Sequence, residues 1–177
     1  ELLHIATLIH DDTVDKSEKR RGQTTLNAIW GDHAAVLLGD YLFAQSAIQV
    51  CDTKNIYVIR RFSETIMELS KGELDELLNA YDIKQLRSQY FERIYNKTAT
   101  LFSTAAECGG ILGGMSDNLA KCVKIYGLKV GMAFQIIDDV LDFQSEESKE
   151  GKPIGRDLLN GTMTLPSILL LEHQPDN

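Results

Sequence analysis

The chain has 177 residues, 44% of them apolar and 25% charged, which excludes wholesale disorder and allows one substantial core. A net charge of −8, with Lys16, Lys19, Arg20 and Arg21 as the only dense basic cluster, excludes a general nucleic-acid binder. Cys51, Cys108 and Cys122 are odd in number and lack CxxC spacing, so they read as reduced, core-filling thiols of a cytoplasmic protein.

The sequence opens at Glu1 without an initiator Met, already inside an apolar, helix-compatible run, and reads as a piece of something longer. This first helix ends near Asp15 and gives way to a charged loop through Gly22. A short helix over 24–30 is stopped by Gly31. Positions 33–51 form a nearly all-apolar helix that should be buried. No apolar run approaches the ~20 residues needed to span a bilayer, so no transmembrane segment is expected. Asn55 should cap a long helix with Ile59, Phe62, Ile66, Leu69 and Leu77 on one side. Asp82 should cap the next, with Leu86, Tyr90, Ile94, Leu101, Ala105 and Cys108 inward, loosened or ended by Gly109-Gly110 and Gly113-Gly114. Asp117 caps a helix that points Leu119, Val123, Tyr126, Val130, Phe134, Ile137 and Leu141 inward. A polar stretch over 144–161 precedes a last apolar helix from about Thr164. No alternating strand and no linker stand out. The expectation is all-α: long antiparallel helices around a central space, in one domain over 1–177.

The chemistry concentrates in one pattern written twice. Asp11-Asp12-Thr13-Val14-Asp15 and Asp138-Asp139-Val140-Leu141-Asp142 are both DDxxD, and each follows an apolar run. Carboxylates beside apolar surface repel one another unless a cation neutralises them. On a helix, i and i+4 share a face about 6 Å apart. Asp11 with Asp15, and Asp138 with Asp142, would each offer an oxygen pair to a hard cation. Asp12 and Asp139 lie roughly 100° around and suit supporting roles. Oxygen-only ligation favours Mg²⁺ or Mn²⁺, which keep open positions for substrate phosphates. Arg20-Arg21-Gly22 adds guanidinium forks suited to phosphate, or else a solvated basic loop. Lys97-Thr98 either snorkels to water or points inward as a phosphate ligand. Gln135 lies one turn before Asp138-Asp139 and shares their side. Lys152 stands in a turn-rich loop, as a ligand or simply solvated.

These segments, HDDTVD…RRG, GDYLFAQ, YNKTATLF, GMAFQIIDDVLDF and GKPIGRDLLNGTMTLP, resemble in order and spacing the trans-isoprenyl diphosphate synthase (polyprenyl synthetase) family over essentially the whole chain. The resemblance implies a helical bundle around a deep cavity with the aspartate motifs facing across its mouth, here a central portion incomplete at both ends. It implies condensation of isopentenyl diphosphate with an allylic prenyl diphosphate and three Mg²⁺ ions. Asp11 and Asp15, supported by Asp12, would hold two. Asp138 would hold the third, with Asp139 and Asp142 acting largely through water. Arg20, Lys97 and Lys152 would bind the allylic diphosphate and Arg21 the isopentenyl diphosphate, with Thr98 and Gln135 near the reacting carbons. Two departures stand out: the family's upstream isopentenyl-binding cations precede Glu1, and Thr162 replaces a lysine common in the family. Product length should depend on Ala6 and Thr7, one turn below the first aspartates, where small residues predict a long chain of the quinone side-chain kind. The family implies a homodimer. Rival readings are a non-catalytic subunit of a heteromeric synthase, a terpene cyclase, an HD-type metal phosphohydrolase around His10-Asp11, a di-iron bundle around Glu1 and His4, and a structural bundle with solvated carboxylates.

Overall fold

Helical periodicity along the chain is realised almost throughout the computed structural model, which describes residues 1–144 and 155–173. The elements are α1 Leu2–Val14, β1 Lys19–Arg20, β2 Gln23–Thr24, α2 Leu26–Trp30, α3 Asp32–Asp52, α4 Ile56–Leu78 and α5 Arg87–Ile94. A π-helical turn, Tyr95–Ala99, then leads into α6 Thr100–Leu112, α7 Asp117–Gln144, α8 Arg156–Leu159 and α9 Leu165–His173. The all-α expectation is borne out. The chain divides into two compact units, Glu1–Phe62 and Ser63–Asn177, and each is described by itself.

In the first unit α1 packs on α3 and α2. Gly39 makes the close approach possible, because the His10 ring occupies the space a Cβ at Gly39 would need. His10 Nε2 sits 3.2 Å from the Val36 carbonyl oxygen and 3.4 Å from Asp40 Oδ1. Both oxygens only accept, so Nε2 carries the hydrogen. The ring also leans on Phe43, centroids 5.2 Å apart. Two of the quoted segments, HDDTVD and GDYLFAQ, are thus parts of one contact.

The stretch expected as a charged loop is a small hairpin. Lys19 pairs with Thr24 and Arg20 with Gln23 in antiparallel register. Arg21 and Gly22 form its two-residue turn with φ of +50° and +77°, the doubly left-handed geometry that matches strand twist and favours glycine. Too short to show alternation, this ribbon is marked in the sequence only by that glycine.

α3 departs from expectation in another way. It is apolar all round, yet within it only Ala35, Gly39 and Ser46 are buried, while Leu37 is 68% exposed. Its buried positions are all small, so apolar composition did not translate into burial. It is also the one described helix long and apolar enough, by length and composition alone, to cross a membrane.

Asn55 caps α4 as expected: its Oδ1 accepts the Val58 amide, 3.2 Å away. The buried stripe of α4 is Val58, Arg61, Thr65, Leu69 and Gly72; of the side that hydropathy selected Leu69 is buried, Ile59, Phe62 and Ile66 are half-buried and Leu77 is exposed. Asp82 does not cap α5. It accepts the Lys84 amide in a local turn, and Gln89 Oε1 accepts the Leu86 amide at the start of the helix. In α5, Tyr90 and Ile94 are inward as expected and join Met163 and Ile168 in a core cluster. In α6 the buried face is Thr100, Ser103, Thr104, Glu107 and Gly110. Polar partners make that burial tolerable: Thr104 bonds Thr65, Thr100 donates to Glu68, and Lys124 pairs with Glu107. Cys51 and Cys122 are free and exposed, not core filler.

α7 packs on α6 and the π turn most closely through glycines; of the stripe expected to face inward, Val123 lies against Gly110 and Phe134 against Phe102. A Cβ at Gly127 would lie 2.5 Å from the Phe102 carbonyl oxygen, and one at Gly131 2.6 Å from Ala99 Cα. Phe134, although its ring meets Phe102, is more than half exposed, as are Ile137 and Leu141. Stepping on by four from Gly131 reaches Gln135 and then Asp139, so the glycine face becomes the functional face at its C-terminal end.

Candidate active site

Each aspartate motif closes a helix, and in each the middle carboxylate is the buried one. Asp12 is 7% exposed, and Arg20 Nε donates to its Oδ1 and Oδ2 at 2.9 and 3.0 Å. The hairpin supplies this arginine, and pairing Arg20 with Gln23 fixes where its side chain leaves the ribbon. Arg20 therefore braces Asp12 directly. Arg21 stands exposed at the tip, while Asp11 is half-buried and Asp15 exposed at the end of α1. Beside the hairpin, Lys16 pairs with Asp32. Ala6 is fully buried, and the Thr7 hydroxyl donates to the His4 carbonyl at 2.8 Å.

In the second unit Asp139 is 3% exposed and receives two bonds, Tyr90 hydroxyl to Oδ2 at 2.6 Å and Gln135 Nε2 to Oδ1 at 2.8 Å. Gln135 Oε1 in turn accepts the Thr98 hydroxyl at 2.7 Å. The structure thus brings together Thr98, Gln135 and Asp139, three residues proposed from sequence, and adds Tyr90. Thr98 and Lys97 ride on the π turn, a local widening of the helix that recurs at functional sites. A Cβ at Gly72 would fall 2.5 Å from the Lys97 amide nitrogen, so α4 reaches the π turn closely there. From α4, Glu76 and Glu73 hold Lys97 Nζ at 2.8 and 3.2 Å. Behind them Arg93, buried over the Tyr90 ring, donates to Gln85 and to the Met163 carbonyl. Lys152 lies outside the described residues.

The electrostatics of this unit are those of crowded anions. Burial, then the nearby Asp142, raises the Asp138 pKa. Burial raises Asp139 against the bonds from Tyr90 and Gln135. Asp157, whose amide donates to Asp142 Oδ2, is pushed up to about 6 by burial and then by Asp142, Asp139 and Glu76. Burial pulls Lys97 down, but Glu76 and Glu73 outweigh it and leave its pKa above the ordinary lysine value. Burial, then Asp139, keeps the Tyr90 phenol protonated far above its usual pKa. Sequence reasoning missed Tyr90, Arg93, Glu73, Glu76 and Asp157. Only Asp157, within GKPIGRD, stood inside a segment already singled out.

An oxygen-rich, cation-poor cluster of this kind suits a hard divalent ion. Among the described residues no three His, Cys, Asp or Glu side chains converge to hold a metal unaided. Magnesium sites built from one or two carboxylates, completed by water and substrate phosphate, have that character.

The fold and this chemistry define a helical protein with two anchored DDxxD motifs. The polyprenyl synthetase family model matches residues 1–177, and the chain belongs to that family. It is 39% identical over 173 residues to heptaprenyl diphosphate synthase component 2 of Bacillus subtilis, covering 98% of this chain and 50% of that one. Heptaprenyl diphosphate synthase of Staphylococcus aureus matches with a TM-score of 0.95 at 42% identity, over 99% of this chain and 55% of that one. A polyprenyl synthase of Caulobacter crescentus, solved with calcium and isoprenyl diphosphate, matches with a TM-score of 0.90 at 34% identity, over 99% of this chain and 53% of that one. The chain spans about half the length of these relatives.

Proposed function

We propose that the protein is a trans-polyprenyl diphosphate synthase that condenses isopentenyl diphosphate with an allylic diphosphate and makes a long-chain product. The observation that carries this reading is the shared construction of the two DDxxD motifs, each with an immobilised middle aspartate and an outer pair at i and i+4. Asp12 is held by Arg20, and Asp139 by Tyr90 and Gln135. Membership of the polyprenyl synthetase family supports it, as does the relative bound to calcium and isoprenyl diphosphate.

Asp11 and Asp15, and Asp138 with Asp142, would hold divalent cations, Mg²⁺ with Mn²⁺ as substitute, three in all. Bound metal neutralises the diphosphate and so assists its departure from the allylic carbon. The chain's own groups do the rest. Arg20, Lys97 and Lys152 bind the allylic diphosphate, and Arg21 binds the isopentenyl diphosphate. For Arg20 this means contacting phosphate with the guanidinium nitrogens that Asp12 leaves available. Thr98 and Gln135, tied to each other at 2.7 Å, present dipoles toward the reacting carbons. The residues 1–177 act as one synthase domain, as the uninterrupted family match supports.

The heptaprenyl relatives support a long product, and Ala6 and Thr7 are the positions on which its length would depend. The partner would be a second copy of the chain, in the cytoplasm, where free exposed thiols persist. The relative's designation "component 2" favours a second reading, assembly with a different chain. Light scattering on the purified protein separates them: a dimer mass supports the first reading, and a monomer that elongates only with an added subunit supports the second. The function itself is tested by Asp11→Ala and Asp138→Ala. Each should lower turnover at least about a hundredfold, and unchanged rates in both would refute the metal assignment.

A further inference from the structure

Asp139 is the most deeply enclosed carboxylate of the second motif, and Tyr90 is the group that closes one side of it. Tyr90 is completely buried in the cluster with Ile94, Met163 and Ile168, and its hydroxyl donates to Asp139 Oδ2 at 2.6 Å. Gln135 occupies the other oxygen. With one donor on each oxygen, Asp139 has one orientation, and rotation toward a neighbouring cation would cost both bonds. Its helix neighbours Asp138 and Asp142 keep the outward side of the same two turns.

We propose that Tyr90 is a positioning residue of the second aspartate motif: its hydroxyl locks Asp139 so that Asp138 and Asp142, and not Asp139, are presented to metal and diphosphate. The lock also reaches Thr98. Holding Asp139 fixes the Gln135 amide with Nε2 toward the carboxylate, which turns Oε1 toward the Thr98 hydroxyl. A single buried phenol thereby sets the orientation of three side chains on two elements. Arg93, 5.8 Å from the Tyr90 ring centroid and bonded to Gln85 and the Met163 carbonyl, holds the ring itself. The inference rests on the proposed synthase reading for what the motif binds.

Tyr90→Phe keeps the ring and removes only the hydroxyl. The test is calorimetric titration of Mg²⁺ and inorganic diphosphate into the full chain, for wild type, Tyr90→Phe, Asp139→Asn and the double variant, alongside thermal melts. Loss of such a supporting bond costs about tenfold or more in metal affinity. Tyr90→Phe should therefore weaken Mg²⁺-dependent diphosphate binding about tenfold with its fold intact, and the double variant should be no worse than Asp139→Asn alone. Binding within about twofold of wild type, or additive losses in the double variant, would overturn the proposal. So would a Tyr90→Phe chain that does not fold, since the phenol would then be structural. Ile168→Val, which thins the same cluster without touching the bond, should lower the melting temperature and leave the titration unchanged. Absence of binding by the wild type would instead refute the synthase reading.

Discussion

Gly131 is the position where packing and chemistry are most tightly joined. A Cβ there would stand 2.6 Å from Ala99 Cα and 3.0 Å from Ala99 Cβ, whereas an ordinary contact begins at 3.4 Å. Gly131→Val must therefore part α7 from the π turn by about 0.8 Å or more, because backbone cannot rotate out of the way. One turn further on, the Thr98–Gln135 bond of 2.7 Å would lengthen to about 3.5 Å, the limit at which it ceases to be a hydrogen bond. Overpacking of this kind costs about 1–3 kcal/mol, and the slightly better helix propensity of valine returns only a few tenths. For a chain of 177 residues that is a fall of roughly 2–12 °C in melting temperature. Displacement of reacting groups by about 1 Å costs on the order of a hundredfold in turnover. The assay is thermal unfolding followed by steady-state elongation at a temperature where the variant is fully folded. Gly109→Ala is the control, since a Cβ there meets nothing within 4 Å. It should raise stability by about 0.5–1 kcal/mol and leave the rate alone. Wild-type melting and turnover in Gly131→Val would refute the close approach and the argument built on it.

Other outcomes follow from the same geometry. In metal-free protein with chelator present, Asp157→Asn should raise stability at pH 7 by about 1–2 kcal/mol, discounted for its partial exposure. The sign follows from Asp157 being pushed up to about 6 in the fold: wild-type stability declines as pH rises from the ordinary carboxylate range through 6, and urea melts at pH 4.5 and 7 should show the variant losing that decline. Lys97→Met removes the cation that Glu73 and Glu76 share and leaves Arg93, 3.8 Å from Glu76, as a more distant partner, so it should cost about 2 kcal/mol in denaturant melts as well as activity. Lys97→Arg, which keeps the charge, should hold the melt near wild type. Thr7→Phe should shorten the prenyl product on reversed-phase chromatography, and an unchanged product would remove Thr7 from the length-determining set.

What the sequence showed and what it hid have a common cause. The carboxylate pattern was legible because a repeated DDxxD is visible in the chain itself, and helix geometry alone separates the turn position of Asp12 and Asp139, both buried, from that of their neighbours. Asn55 was legible because a cap is a local bond between neighbours in the chain. The packed faces of α6 and α7 were not. Hydropathy selected Leu101, Ala105 and Ile137, while the closest contacts run through Thr100, Thr104, Gly127 and Gly131. Glycine carries no hydropathic signal for close approach, and a buried threonine is paid for by a partner far away in sequence. Tyr90 and Arg93 escaped for the same reason: Tyr90 reads as core until Asp139, 49 residues on, supplies the acceptor for its hydroxyl. The Arg20 hairpin escaped because two-residue strands have no period.

The most direct test of the account is one incubation of the purified full chain with labelled isopentenyl diphosphate and an allylic diphosphate primer, with and without Mg²⁺, followed by sizing of the lipid. The account predicts a magnesium-dependent ladder of five-carbon steps ending in a long chain, lost in Asp11→Ala and in Asp138→Ala. Elongation that persists in chelator, or that survives both substitutions, would contradict it.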